Sequence, residues 1–144
     1  ANSAKSVGVL SGLPDHQLDN LYAYGRNLGL AFQIVDDILD FTGSSEVLGK
    51  PAGSDLKSGN LTAPVLYALE ETPYLAGLIE REFAEADDFE QAIGLIHKSD
   101  GIARSRDLAT QHIDRAIACL QDLPSSEPQK ALVELGSYVL RRVY

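Results

Sequence analysis

Four polar residues recur at helical spacing in residues 27–41, a segment that reads NLGLAFQIVDDILDF. The last three lie three, four and seven positions after the first: Gln33, Asp36, Asp37 and Asp40. In an α-helix this spacing projects all four side chains within one arc of roughly 100°. The rest of the segment is apolar on most sides, which is typical of a largely buried helix. The pattern therefore predicts a buried helix that carries an acidic stripe.

The stripe predicts a cation site. Neighbouring carboxylates removed from water repel one another, and both desolvation and like charge raise the pKa of a carboxyl group. We therefore expect a cation to compensate Asp36, Asp37 and Asp40. Oxygen ligands without His or Cys favour a hard ion, and Mg²⁺ typically joins one or two carboxylates to substrate phosphates. The alternative is a solvated acidic stripe on the surface of an ordinary amphipathic helix.

Asp87 and Asp88 form a second acidic pair, which serves as an internal control. They precede a predicted helix, and no carboxylate follows Asp88 three residues later. Aspartate is favoured at the N-cap and in the first turn of a helix, where it complements the helix dipole. We interpret this pair as capping residues rather than as ligands.

The elements that position the stripe are predicted to be α-helices throughout. Apolar residues recur mostly at three- and four-residue spacing, and no alternating strand pattern persists beyond a few residues. Glycine, proline and capping signals divide the chain into helices. The predicted helices cover residues 1–11, 14–41, 61–71, 73–85, 89–99, 101–123 and 127–142. The fold class is all-α.

A glycine-rich loop of roughly 18 residues follows the acidic helix, and its length indicates a functional or mobile segment. Its glycines permit close approach of the backbone to a ligand, and Lys50 and Lys57 are candidates to bind a phosphate. The alternative is that both lysines are solvated. The spacing of Gly43 and Gly49, with Pro51 after Lys50, does not match a P-loop.

Composition excludes several classes of protein. Twelve Lys and Arg against 21 Asp and Glu give a net charge of −9, which disfavours binding to nucleic acid or to anionic membranes. No apolar stretch reaches the ~20 residues that a transmembrane helix needs. A single cysteine, Cys119, excludes an internal disulfide and a cysteine cluster for zinc, which fits a reducing, intracellular compartment.

The acidic segment and the loop together resemble the trans-isoprenyl (polyprenyl) diphosphate synthases. The matching residues are the second aspartate-rich motif, Phe32-Gln33-x-x-Asp36-Asp37-x-x-Asp40, and the loop after it, Leu48-Gly49-Lys50-Pro51-x-Gly53-x-Asp55-Leu56. The resemblance extends over essentially the whole chain. Two further stretches look most like the solanesyl diphosphate synthases of cyanobacteria and plastids: Gly59-Asn60-Leu61-Thr62-Ala63-Pro64 and Tyr138-Val139-Leu140.

The resemblance implies an all-α isoprenoid synthase bundle that lengthens prenyl chains as a homodimer. An allylic diphosphate would ionise, isopentenyl diphosphate would attack the cation, and loss of a proton would leave a chain longer by five carbons. By the same resemblance Asp36 would ligate Mg²⁺ most directly, and Asp37 and Asp40 would hold ions or their waters. Lys50 would bind the allylic diphosphate, and Gln33 would line the substrate cavity.

We expect residues 1–144 to be the C-terminal half of a single polyprenyl synthase domain. The family's first aspartate-rich motif and its isopentenyl-diphosphate-binding basic residues would precede Ala1, so the chain alone is expected to have negligible turnover. The resemblance places the protein in the cytoplasm of a cyanobacterium-like bacterium or in the plastid stroma. The alternative function is a non-catalytic subunit that binds prenyl diphosphates or regulates a catalytic partner.

Overall fold

The computed structural model describes residues 1–43 and 52–143, and within them the chain forms helices and no strand. This confirms the predicted all-α fold class. The helices are α1 (Asn2–Leu10), α2 (Asp15–Thr42), α3 (Ser54–Lys57), α4 (Ala63–Glu71), α5 (Pro73–Glu80), α6 (Asp88–Lys98), α7 (Gly101–Ala118) and α8 (Glu127–Leu140).

Helix α2 carries the acidic stripe and follows the predicted bounds within one residue at each end. Its 28 residues correspond to a length of about 42 Å. Gly12, with φ of 67°, separates it from α1. At its other end the hydroxyl of Thr42 donates to the carbonyl of Ile38 at 3.0 Å. The acidic residues therefore lie in the last two turns of a long continuous helix.

One compact unit consists of Ala1–Val35 together with Leu108–Tyr144. One buried apolar cluster of this unit forms around Tyr24, Ala116 and Leu120. The hydroxyl of Tyr24 donates to the carbonyl of Leu132 at 3.0 Å, and burial raises the pKa of this phenol. The hydrogen bond satisfies the polar end of a ring that otherwise packs against apolar side chains.

The second compact unit is Asp36–Asp107, in which α4, α5 and α6 pack against one another. Its core consists of apolar side chains from all of these helices and from the residues on either side of the loop. The buried members are Phe41, Leu56, Val65, Ala68, Leu75, Leu78, Ala92 and Ile96. Because Phe41 and Leu56 belong to the same cluster, the core brings the end of α2 and the start of α3 together.

Helix α5 ends at Glu80, five residues before its predicted end at position 85. Glu82 and Phe83 have φ of 55° and 56°, and a helix cannot continue through two left-handed residues. The turn directs the ring of Phe83 against that of Phe89 in an edge-to-face contact with 5.5 Å between centroids. A tertiary contact therefore accompanies the early end of the helix.

Helix α7 also stops before its predicted end, at Ala118 rather than position 123. From Cys119 onward the amides bond to carbonyls three residues back, as in Leu120 to Ile117 at 3.0 Å. Such tighter bonds are usual where a helix frays into a 3₁₀ turn. Within the described ranges, no helix is both long enough and apolar enough to cross a membrane.

Candidate functional site

The carboxylate of Asp40 binds the N-terminus of α3. Its Oδ1 accepts hydrogen bonds from the amide of Ser54 at 3.2 Å and from the Ser54 hydroxyl at 2.8 Å. Its Oδ2 accepts from the amide of Asp55 at 3.1 Å. In addition, the amide of Gly53 donates to the main-chain carbonyl of Asp40 at 2.9 Å. An acidic side chain of α2 therefore fixes the segment that follows the loop.

The other predicted site residues of α2 differ in exposure. Asp37 is buried, with 8% of its surface exposed, and Asp36 is partly exposed. Gln33, which is predicted to line the substrate cavity, is an exposed residue of the same helix. The acidic stripe is therefore not a fully solvated surface feature: one carboxylate is buried and the two others are partly covered.

The donor set fits a hard cation. Asp36, Asp37 and Asp40 offer only carboxylate oxygens, the ligands that Mg²⁺ prefers. Within residues 1–43 and 52–143, no three His, Cys, Asp or Glu side chains converge closely enough to hold a metal ion by themselves. Mg²⁺ usually retains waters and binds through one or two carboxylates together with substrate phosphates, so the donors present suit an ion shared with a diphosphate.

Of the two lysines predicted to bind a phosphate, the structure describes Lys57 and not Lys50. Lys50, the predicted ligand of the allylic diphosphate, lies outside the described residues. Lys57 is exposed, and its Nζ lies 5.8 Å from the centre of the Phe89 ring. This is within the range of a cation–π contact.

The interpretation of Asp87 and Asp88 as capping residues is wrong in its mechanism. Asp87 occupies the N-cap position of α6 with φ of 67°, but its side chain makes no capping hydrogen bond. Asp88 is buried, with 1% exposed, and binds Arg81 through both carboxylate oxygens. Asp88 nevertheless has a structural role, because its carboxylate forms an ion pair within the fold.

Sequence patterns did not identify the pairing of Asn27 with His112. Oδ1 of Asn27 lies 2.9 Å from Nδ1 of His112, and Nδ2 of Asn27 donates to the carbonyl of Ala23 at 2.9 Å. The Asn27 oxygen is thus the acceptor, so Nδ1 of His112 carries the proton. Burial, followed by the positive charges of Arg115 and Arg26, lowers the pKa of His112. A buried Asn on an apolar helix is the signal that indicates such a partner.

Curated relatives match the chain over its whole length. It is 59% identical over 144 residues to a prenyl transferase of Synechocystis, covering 100% of this chain and 45% of the relative. It is 50% identical over 143 residues to the chloroplastic solanesyl-diphosphate synthase 2 of rice, covering 99% of this chain and 36% of the relative. The chain therefore spans less than half the length of these relatives.

Solved structures of similar fold are also prenyl synthases. A medium/long-chain-length prenyl pyrophosphate synthase of Arabidopsis, in its apo form, aligns with a TM-score of 0.87 and 41% identity over 98% of this chain and 49% of that one. A polyprenyl synthase of Caulobacter crescentus, complexed with calcium and isoprenyl diphosphate, aligns with a TM-score of 0.81 and 35% identity over 94% of this chain and 43% of that one.

The family model described as polyprenyl synthetase matches residues 1–96, which is two thirds of the 144 residues and includes the acidic stripe, the loop and helices α1 to α5. The all-α fold and the relatives agree with this match. The chain therefore belongs to the polyprenyl synthetase family.

Proposed function

We propose that the chain forms the C-terminal half of a trans-prenyltransferase domain that adds isopentenyl diphosphate units to an allylic diphosphate. The proposed product is a long-chain polyprenyl diphosphate, namely solanesyl diphosphate. Membership of the polyprenyl synthetase family supports the reaction class. Relatives named prenyl transferase and solanesyl-diphosphate synthase support the long product. The observation that carries the proposal is the motif Asp36-Asp37-x-x-Asp40, partly buried at the end of α2.

Asp36 and Asp37 are proposed to hold Mg²⁺, with Asp40 acting on the ion or its waters. When bound, the ion neutralises diphosphate oxygens and so stabilises the charge that develops as the diphosphate leaves. The carboxylate-only donor set supports this choice. A related polyprenyl synthase complexed with calcium and isoprenyl diphosphate supports a divalent cation at sites of this family.

The remaining site residues are proposed to act on the substrate. Lys50 would bind the allylic diphosphate, since an ammonium group is a point charge suited to a phosphate. Gln33 would line the cavity for the prenyl chain. We further propose that the protein works as a homodimer, in the cytoplasm of a cyanobacterium-like bacterium or in the plastid stroma.

We propose negligible turnover for the 144-residue chain alone, because it contains one motif of the form Asp-Asp-x-x-Asp. A single wall of carboxylates binds ions on one side of a diphosphate only. The alternative function is that of a non-catalytic subunit that binds prenyl diphosphates, because the chain covers 45% of the length of the Synechocystis relative. Co-purification of the chain with a separate catalytic subunit would favour that function.

Binding and turnover are tested separately. Calorimetry with Mg²⁺ and inorganic diphosphate should show Mg²⁺-dependent binding by the wild type and at least about tenfold weaker binding by Asp36→Asn, which removes a proposed ligand. Asp87→Asn is the matched control, because it removes the same charge from an exposed residue whose side chain makes no cap bond. Its affinity should equal that of the wild type.

Two results would contradict the proposal. Absence of Mg²⁺-dependent diphosphate binding by the wild type, or equal binding by Asp36→Asn, would refute the metal site. Incubation of the purified chain with radiolabelled isopentenyl diphosphate, an allylic diphosphate and Mg²⁺ should give no elongated product. Elongation by the chain alone would refute the proposed inactivity and would leave the reaction class in place.

A further inference from the structure

The hydrogen bonds between Asp40 and Ser54 suggest a second role for the acidic motif. We propose that Ser54 is a positioning residue of the metal–diphosphate site, an inference that rests on the function proposed above. Its hydroxyl, together with the amides of Ser54 and Asp55, fixes the Asp40 carboxylate and docks the segment after the loop onto the acidic end of α2.

The hydrogen-bond capacity of Asp40 defines what it can still bind. An ionised carboxylate has about four lone-pair sites, two on each oxygen. Oδ1 accepts from both the amide and the hydroxyl of Ser54, which occupies both of its sites. Among the residues that the structure describes, Oδ2 accepts only from the amide of Asp55, which leaves one of its sites for another partner. Asp40 therefore cannot chelate an ion with both oxygens, and it acts through Oδ2 alone.

This assignment gives the three carboxylates of the motif different roles at the metal site. Asp36 and Asp37 carry the direct ligation, and Asp40 holds a water of the ion or contributes its charge. Carboxylates that position a metal site are themselves usually hydrogen-bonded, and the loss of such outer partners weakens metal binding by about 10- to 100-fold. Ser54 is such a partner, because its hydroxyl donates the shortest of the three bonds that the described residues make to the Asp40 carboxylate, at 2.8 Å.

The surrounding contacts fix Ser54 itself. The preceding residue, Gly53, has φ of 74°, and its amide donates to the Asp40 carbonyl at 2.9 Å. Phe41, next to Asp40, and Leu56, two residues after Ser54, are buried in the same apolar cluster. Main-chain bonding, the carboxylate cap and apolar packing thus act on the same junction and hold the backbone of Ser54 beside Asp40.

The test compares hydroxyl-bearing and hydroxyl-free side chains at position 54. Ser54→Ala should bind inorganic diphosphate about tenfold more weakly in the presence of Mg²⁺, and Ser54→Thr should restore the affinity of the wild type. Ser58→Ala is the matched control: the Ser58 hydroxyl belongs to the same turn but donates to the carbonyl of Ser54 at 2.9 Å rather than to Asp40. Its affinity should be unchanged.

Amide hydrogen exchange measured by NMR supplies a readout that does not require a ligand. The amides of Ser54 and Asp55 should exchange faster in Asp40→Ala, because the carboxylate that accepts from them is absent. If Ser54→Ala does not fold, Ser54→Thr and Ser54→Val are compared with each other instead. The Thr and Val side chains have the same shape, and only Thr carries the hydroxyl group.

Each outcome has a distinct meaning. Equal diphosphate affinity of the wild type and Ser54→Ala, or of the Thr and Val variants, overturns the positioning role and leaves the proposed function intact. Unchanged amide exchange in Asp40→Ala overturns the cap itself. Absence of Mg²⁺-dependent binding by the wild type overturns the proposed function, and the positioning role with it.

Discussion

Arg81 binds the buried carboxylate of Asp88 with two parallel hydrogen bonds. Nε donates to Oδ2 at 2.8 Å and Nη2 donates to Oδ1, and the amide of Glu85 adds a third bond to Oδ2 at 3.1 Å. These bonds, with the charge of the guanidinium, hold the pKa of Asp88 below its usual value against the opposing effect of burial. The pair connects the turn after α5 to the first turn of α6.

Asp88→Asn should lower the midpoint of thermal unfolding by several degrees. The amide cannot accept bonds at both positions, so a side chain that is 1% exposed loses part of its pairing with Arg81, whose own side chain is 38% exposed. Circular dichroism during heating measures the change. Asp87→Asn is the control, because Asp87 is exposed and Asn is well tolerated at its left-handed backbone. An equal effect of the two substitutions would contradict the importance of the ion pair.

The contribution of the Asp88 carboxylate to the free energy of unfolding should disappear in acid. Its pKa in the folded protein lies below the value of about 3.9 in an unfolded chain, so the unfolded state binds the proton first as pH falls. The stabilisation is present above the unfolded pKa and is lost as pH falls through the folded pKa. Urea unfolding from pH 7 to pH 2 should therefore show wild type and Asp88→Asn converging below about pH 4. A difference in unfolding free energy between the two proteins that stays constant down to about pH 2 would contradict this prediction.

His112 should titrate below the ordinary histidine value of about 6.5. Burial contributes most to this lowered pKa, and the positive charges of Arg115 and Arg26 contribute the rest. Its ring resonances in an NMR titration should report the midpoint, which Arg115→Gln should raise by removing one positive charge. Lys130→Gln is the control, since Lys130 is paired with Glu127 and is not among the charges that act on His112. A midpoint at or above the ordinary value would contradict the prediction.

The same titration should affect stability. The pKa of His112 is lower in the folded protein than in the unfolded chain, so the unfolded chain takes up the proton first as pH falls. The contribution of neutral His112 to the free energy of unfolding is therefore lost as pH drops from about 6.5 toward the folded pKa. His112→Gln should remove this part of the pH dependence. A slope of the unfolding free energy that is the same in both proteins between pH 7 and pH 5 would show that His112 is not its source.

Gly53→Ala should destabilise the protein by about 1–2 kcal/mol, because φ of 74° is costly for a residue with a Cβ. The added atom would also overlap the side chain of Ile93 and lie 3.1 Å from Cζ of Phe89. Gly77→Ala is the opposite case, since it lies in α5 with open space around it and should stabilise by about 0.5–1 kcal/mol. Urea unfolding of both variants measures these values, and a neutral Gly53→Ala would contradict the prediction.

The acidic helix could be predicted from sequence because its signals are local. The spacing of its polar and apolar residues sets both the helix and the shared position of Asp36, Asp37 and Asp40 on it. The partner of Asp40 could not be predicted in this way, because Ser54 lies 14 residues further along the chain and no periodicity connects the two.

Tertiary contacts account for the predictions that were wrong. An acid before a helix commonly caps it, but Asp88 binds Arg81, seven residues away, and local charge rules do not include such a partner. Apolar periodicity favours a helix through residue 85, whereas Glu82 and Phe83 leave the helical region where the Phe83 ring contacts Phe89. The Asn27–His112 pair is 85 residues apart and is invisible to any short window.

The two left-handed residues after α5 differ in what they offer to protein engineering. Replacing Phe83 would relieve its backbone but would remove the aromatic contact with Phe89. Glu82 is exposed and carries the same unfavourable conformation. A glycine or asparagine there would relax the backbone at no cost in packing. Position 82 is therefore the natural starting point for raising the thermal tolerance of this unit without touching its acidic motif.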